Sequence, residues 1–429
     1  MRSAFELIAI LLGLSALFGY LNLRYVKLPH TIGLLVIALA VSLAIIATEA
    51  VFPNLGLKAT AQAMLGKVDF TRTLMESVLS FLLFAGALHV DVSALYDRRW
   101  SIGVMASFGV VLTTTLVGGG MYLVFGALGI AVPFLACLVF GALIAPTDPV
   151  AVLSTLKTVR VPPSLEATIA GESLFNDGVG VVVFTIIVAL AFGAAGGGHA
   201  AGSEVTAGSV AVLFLTEAVG GAVLGLATGW LAFLLMRSID EYTVEILLSL
   251  ALVTGTYVIA ARLHLSGPIA VVVAGLLIGN RGTRLAMSET TREHLLTFWE
   301  LIDEILNSLL FLLIGFEVLA VSGKTGFMIA ALIAIPLVLL SRLISVSLPM
   351  AALHFREAFK GGYVWVLTWG GLRGGISVAL ALSLPPSDVR EVLLTVCYGV
   401  VIFSVVLQGV TVGPLIKRVV RDDARGSED

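Results

Sequence analysis

Charge is what this 429-residue chain has least of: 12% of its residues are Asp, Glu, Lys or Arg, against 59% hydrophobic. Soluble domains carry about a quarter charged residues, so too little charge is present to coat a water-soluble globule of this size. Cysteine is almost absent. The two present, Cys137 and Cys397, lie in apolar runs, which excludes a disulfide framework and a cysteine metal cluster. A basic excess is missing as well, and a net charge of −3 argues against a nucleic-acid partner. With a mean hydropathy of +1.06, the polar composition of disordered chains is missing too. The 45 glycines follow no three-residue repeat, which excludes collagen. What the chain has in abundance is long apolar runs, and the class they predict is an all-α polytopic membrane protein.

A span needs roughly 20 apolar residues to cross about 30 Å of hydrocarbon. Thirteen segments qualify: 4–21, 30–50, 74–92, 101–128, 131–153, 165–193, 208–236, 243–261, 266–280, 294–320, 326–353, 361–384 and 389–415. The first is not expected to be a cleaved signal, because Glu6 precedes its apolar run and no small-residue cleavage site closes it. The links are short, so no soluble domain is inserted. The longest, 51–73, is expected to hold an interfacial helix, and the Gly/Ala/Ser stretch 193–208 reads as a flexible linker. With the N-terminus outside, 16 of the 25 Lys and Arg residues fall in inside loops and the tail, and 7 fall outside. Cytoplasmic enrichment of Lys and Arg therefore supports thirteen spans with a cytoplasmic C-terminus.

Ionisable groups inside spans are costly and point to function. Segment five carries Pro146-Thr147-Asp148-Pro149 at its middle. Two prolines three apart remove two backbone donors and clash with the preceding turn, so the helix is expected to break at Asp148. Such a break needs a cavity or a protein lining at membrane depth. A purely structural proline kink is the competing reading, and the carboxylate between the prolines weighs against it. Segment six carries Glu172, Ser173, Asn176 and Asp177. Residues i and i+4 share a helix face, which stacks Ser173 on Asp177 and Glu172 on Asn176. Oxygen clusters of this kind suit hard cations. An interhelical hydrogen-bond network is the alternative, but such networks use Ser, Thr and Asn rather than carboxylates. Segment twelve places Arg373 among four glycines, Gly370, Gly371, Gly374 and Gly375, so a second break is expected there. A buried guanidinium needs an anion, and Glu172 is the expected partner of Arg373. Arg342 in segment eleven also needs acceptors, with carbonyls freed by a break as one source.

Segments five and twelve are seven apart. If segments 1–6 and 8–13 are two six-helix repeats, the odd helix between them inverts the second copy. Inverted repeats with broken helices in matching positions mark the midplane site of secondary transporters. Asp148 would then offset positive helix ends at the crossing, and Arg373 negative ones.

The segments PTDPVAV (146–152), GESLFNDG (171–178) and GGLRGGIS (370–377) resemble signatures of the NhaP-type sodium/proton antiporters. These belong to the monovalent cation:proton antiporter-1 family, which also holds the animal sodium/proton exchangers. LNSLLFLLIG (306–315) resembles that family's tenth helix and LLFAGALHVDVSAL (82–95) its third. Phe175 stands where many members carry Leu.

The resemblance implies a homodimer in the lipid bilayer, in a bacterial inner (plasma) membrane. Each protomer would have a mobile core of residues 101–193 and 326–415. Interface and linking helices would lie in 1–92 and 208–320, with a short cytoplasmic tail at 416–429 holding no regulatory domain. It further implies that Asp148, Asp177, Ser173 and the carbonyl of Thr147 bind a monovalent cation. Glu172 would approach through water and pair with Arg373, and Asn176 would tether the break of segment five. Relatives outside the family carry a second Asp where Asn176 stands and move more protons than sodium ions. The Asn implies one-for-one, electroneutral exchange of Na⁺ or Li⁺ for H⁺. No cofactor is expected, the cation being substrate.

The same machine with K⁺ as its ion is the nearest alternative, because cavity size and hydration separate the two ions. A channel would need a filter-like repeat, and the chain has none. An enzyme is disfavoured because residue 175 is Phe, which spoils a Gly-x-Ser-x-Gly elbow at Ser173, and no buried His stands by as base. Glu300, Asp303 and Glu304 read as helix-end charges rather than a cation funnel. Glu76, Glu217, Glu245 and Glu317 read as packing or pairing residues, and the six histidines as interfacial or capping groups.

Overall fold

The computed structural model of the chain describes residues 2–52, 56, 78–149, 152, 163–193, 207–320, 323–353 and 362–425. The expected interfacial helix in 51–73, most of the linker 193–208, and Glu76 fall outside these residues. In order, the helices are α1 Arg2–Leu21, α2 His30–Val51, α3 Leu79–Leu88, α4 Val92–Asp97, α5 Arg99–Ala127, α6 Phe134–Ile144, α7 Pro163–Phe192 and α8 Ala207–Arg237. They continue as α9 Tyr242–Arg262, α10 Gly267–Leu277, α11 Glu289–Glu317, α12 Thr325–Leu353, α13 Tyr363–Trp369, α14 Gly375–Leu382, α15 Asp388–Phe403 and α16 Gly409–Arg425. Among the described residues no strand forms; Asp148 and Leu372 make an isolated antiparallel bridge.

Each of the thirteen apolar segments carries helix. Among the described residues, length and hydropathy alone qualify eight helical stretches to cross a membrane, with Leu79–Leu88, Phe134–Ile144 and Gly267–Gly282 as shorter apolar pieces. Segments five and twelve are interrupted, α11 carries Glu300, Asp303 and Glu304 along its length, and segment three is described only from Val78. The outer surface is apolar, as a lipid-facing one must be: Leu123 is 72% exposed and Leu332 71%.

Buried apolar side chains form four clusters among the described residues. The largest joins α5, α6, α7 and α12 through α16, and takes in Ile32 and Leu35 of α2 and Leu310, Phe311 and Ile314 of α11. A second cluster joins α3 to α8, α9, α10 and the first half of α11. Close helix approach is set by small residues. A Cβ on Gly118 of α5 would sit 2.8 Å from Leu138 Cα and 2.9 Å from the Cys137 carbonyl of α6. Among the described residues, five-residue π-turns end α1 at Asn22–Val26, follow α10 at Ile278–Gly282 and join α15 to α16 at Ser404–Gln408.

Candidate functional site

The two breaks fall where the prolines and glycines placed them. Helix α6 stops at Ile144 with Ala145 as its cap, and Pro146–Pro149 continues without helical bonding. Helix α13 stops at Trp369, and α14 restarts at Gly375. The two non-helical stretches cross: Asp148 N donates to the Leu372 carbonyl at 2.8 Å. The Asp148 carboxylate lies against Gly374, the residue that caps the N-terminus of α14, and a Cβ there would overlap it. At the same crossing Arg373 Nη1 donates to the carbonyls of Ala145, at 2.6 Å, and Pro146, at 3.0 Å. A carboxylate thus sits at a helix N-terminus and a guanidinium at a helix C-terminus, each opposite the partial charge that favours it.

Helix α7 runs beside this crossing, and its polar stripe faces it. Asn176 makes three bonds. Its Oδ1 accepts from Thr147 N at 3.2 Å, and its Nδ2 donates to Thr147 Oγ1 at 2.7 Å and to Glu172 Oε1 at 2.9 Å. Ser173 Oγ and Thr147 Oγ1 lie 3.1 Å apart. Thr147, Glu172, Ser173, Asn176 and Asp177 are all buried, while Asp148 is part-exposed. Asp177 is within electrostatic reach of Asp148, Glu172 and Arg373. Its Oδ1 is buried and has no hydrogen-bond partner among the described residues.

One expected pairing is corrected. Glu172 pairs with Arg342 rather than with Arg373. Arg342 Nη1 and Nη2 meet the two carboxylate oxygens at 2.8 and 2.7 Å, a bidentate ion pair between buried side chains. The third donor, Nε, reaches the Leu367 carbonyl at 3.3 Å, near the end of α13. Arg342 thus meets a carbonyl beside a break, as expected, but its main acceptor is the carboxylate. Arg373 is spent on carbonyls of the first break, and its Nε and Nη2 are buried without partners among the described residues.

Two further residues join the site that the sequence argument passed over. Ser404 Oγ accepts from Arg373 N at 2.8 Å, and Gln408 Nε2 donates to the Trp369 carbonyl at 3.0 Å. Their signal was present: two polar residues four apart inside an apolar run.

The sequence model of the family described as "Sodium/hydrogen exchanger, transmembrane" matches residues 13–418. This chain belongs to the sodium/hydrogen exchanger family. Among similar proteins, the Na⁺/H⁺ antiporter NhaP of Pseudomonas aeruginosa is 46% identical over 419 residues, covering 96% of each chain. The Na⁺/H⁺ antiporter NhaH of Halobacillus aidingensis is 34% identical over 357 residues, covering 81% of this chain and 83% of that one. The sodium proton antiporter MjNhaP1 from Methanocaldococcus jannaschii, solved at pH 8, shares the fold. Its TM-score is 0.72 at 20% identity, over 98% of this chain and 99% of that one. The family expected from the signature segments is the family found. Like its relatives, this exchanger is an integral membrane transporter and not an enzyme.

Proposed function

We propose that this chain is a secondary antiporter that exchanges Na⁺, and Li⁺, for H⁺ one for one by alternating access. The observation that carries the reading is the bare Asp177 Oδ1, buried at the crossing of two broken helices beside the hydrogen-bonded side chains of Thr147, Ser173 and Asn176. A buried oxygen with no partner costs free energy that either a cation or a proton relieves. Asp148, Ser173, Asp177 and the carbonyl of Thr147 are the proposed cation ligands. Asn176 holds Thr147 in place, and Glu172 is held by Arg342. The coupling follows from competition: Asp177 binds the cation or the proton, and neither leaves room for the other. The relatives named as Na⁺/H⁺ antiporters support this choice of ions.

The mobile core proposed for transport is 101–193 with 326–415, moving against 1–92 and 208–320. The helices of the proposed core share one apolar cluster, to which α2 and the second half of α11 also contribute, while α3, α8, α9 and α10 share another. The working unit is proposed as a homodimer in the plasma membrane of a bacterium, with the N-terminus outside. No cofactor is required, since the cation is the substrate.

The test is exchange in proteoliposomes of the full chain, with an imposed proton gradient and Na⁺, Li⁺ or K⁺ outside. Proton flux coupled to Na⁺ and Li⁺ supports the reading. Coupling to K⁺ alone replaces the cation assignment, and conduction of either ion without the other overturns antiport.

A further inference from the structure

We infer that the π-turn Ser404–Gln408 braces the second broken helix, which makes Ser404 and Gln408 positioning residues for ion binding. The inference rests on the antiport reading of the same site. π-turns are rare, and they collect at functional positions. This one lies between α15 and α16, alongside the gap that separates α13 from α14. Ser404 and Gln408 are four residues apart and buried, so both side chains reach the same side. Gln408 Nε2 takes the Trp369 carbonyl at the end of α13, at 3.0 Å. Ser404 Oγ takes the Arg373 amide ahead of α14, at 2.8 Å. A helix end leaves carbonyls and amides without intrahelical partners, and at membrane depth the protein must supply them. The π-turn supplies one on each side of the gap.

The brace reaches the cation ligands through Arg373. Its backbone is held by Ser404, while its Nη1 grips the Ala145 and Pro146 carbonyls of the first break. The next residue back, Leu372, accepts from Asp148 N. A shift of residues 372–373 therefore shifts the backbone that carries Thr147 and Asp148. Neither Ser404 nor Gln408 hydrogen-bonds to Asp177 or Ser173 among the described residues, so their effect on the ion passes through the break.

The experiment is Na⁺-driven exchange by the full chain in proteoliposomes, reading apparent KM for Na⁺ and the pH profile. Ser404→Ala and Gln408→Met are each expected to raise KM by about three- to tenfold, the worth of one hydrogen bond. Weaker cation binding lets protons compete better, so the acid limb of the profile moves to higher pH. Ser404→Thr keeps the hydroxyl and restores KM. Thr115→Val is the control. It removes an exposed hydroxyl of α5 that donates to the Val111 carbonyl of its own helix at 2.9 Å, and leaves KM unchanged. Unaltered KM and pH profile in both Ser404→Ala and Gln408→Met, beside an active wild type, overturn the inference. So does a reduced folded yield with unchanged KM in the fraction that remains. A wild type that exchanges no cation overturns the antiport reading, and the inference with it.

Discussion

The guanidinium of Arg342 grips the Glu172 carboxylate with two hydrogen bonds, of 2.8 and 2.7 Å, across 170 residues of chain. Both groups are buried, and Glu172 also accepts from Asn176, which holds Thr147. The pair thus ties α12 to the polar stripe of α7 and leaves Arg373 for the carbonyls of the first break. One cation steadies an anion beside the site, and the other steadies the backbone.

Breaking that pair strands a buried charge, at roughly 3–5 kcal/mol. Glu172→Ala and Arg342→Ala should each lower thermal stability in detergent, and the double replacement should recover part of the loss. The coupling in this cycle should exceed the one between Glu172 and Arg373, which share no hydrogen bond. A larger coupling with Arg373 would contradict the pairing seen.

Asp177→Asn keeps the shape of the side chain and removes its charge. Exchange should vanish while the protein still folds and inserts. Wild-type proton flux in that variant, measured in proteoliposomes, would remove Asp177 from the site.

Gly374 is the third test, because a methyl group there would overlap the Asp148 carboxylate. Gly374→Ala should abolish or strongly reduce cation-driven exchange by displacing Asp148 from the N-terminus of α14. Gly119→Ala meets nothing within 4 Å and should exchange like wild type, with a gain of about 0.5–1 kcal/mol in helix stability. Equal activity of the two variants would separate Asp148 from transport.

Voltage supplies the fourth. A potential acts at about 2.3 kcal/mol per elementary charge per 100 mV. Protonation of Asp177 removes one negative charge and a bound Na⁺ offsets one, while Asn176 cannot titrate. The net charge moved per cycle should be zero. Solid-supported-membrane recording should show no sustained current, and an imposed potassium-diffusion potential should leave the final Na⁺ gradient unchanged. Turnover should fall at both pH extremes, where either the cation or the proton is excluded from the loaded step. A sustained current would mean that more than one proton moves per cation.

Composition and local pattern by themselves determined most of the architecture. Apolar runs of about 20 residues admit little but membrane helices, and α1, α2, α5, α7, α8, α9 and α12 lie within a few residues of their apolar runs. Pro146, Pro149 and the glycines around Arg373 located both breaks, because a missing amide or a missing side chain acts on its own turn of helix. The i, i+4 rule put Glu172 with Asn176 on one stripe and Ser173 with Asp177 on the next. Only the tertiary structure decided which cation meets which anion. Arg342 and Arg373 are both lone guanidiniums in apolar spans, and the glycines around Arg373 mark a break without telling which acceptor either cation meets. Their partners depend on how α12 and the α13–α14 gap lie against α7, which is set by packing over the whole bundle. The same holds for Ser404 and Gln408. Their chemistry was visible in the chain, but a π-turn lying beside a gap in another helix is a relation between distant segments, and hydrophobic periodicity carries no record of it.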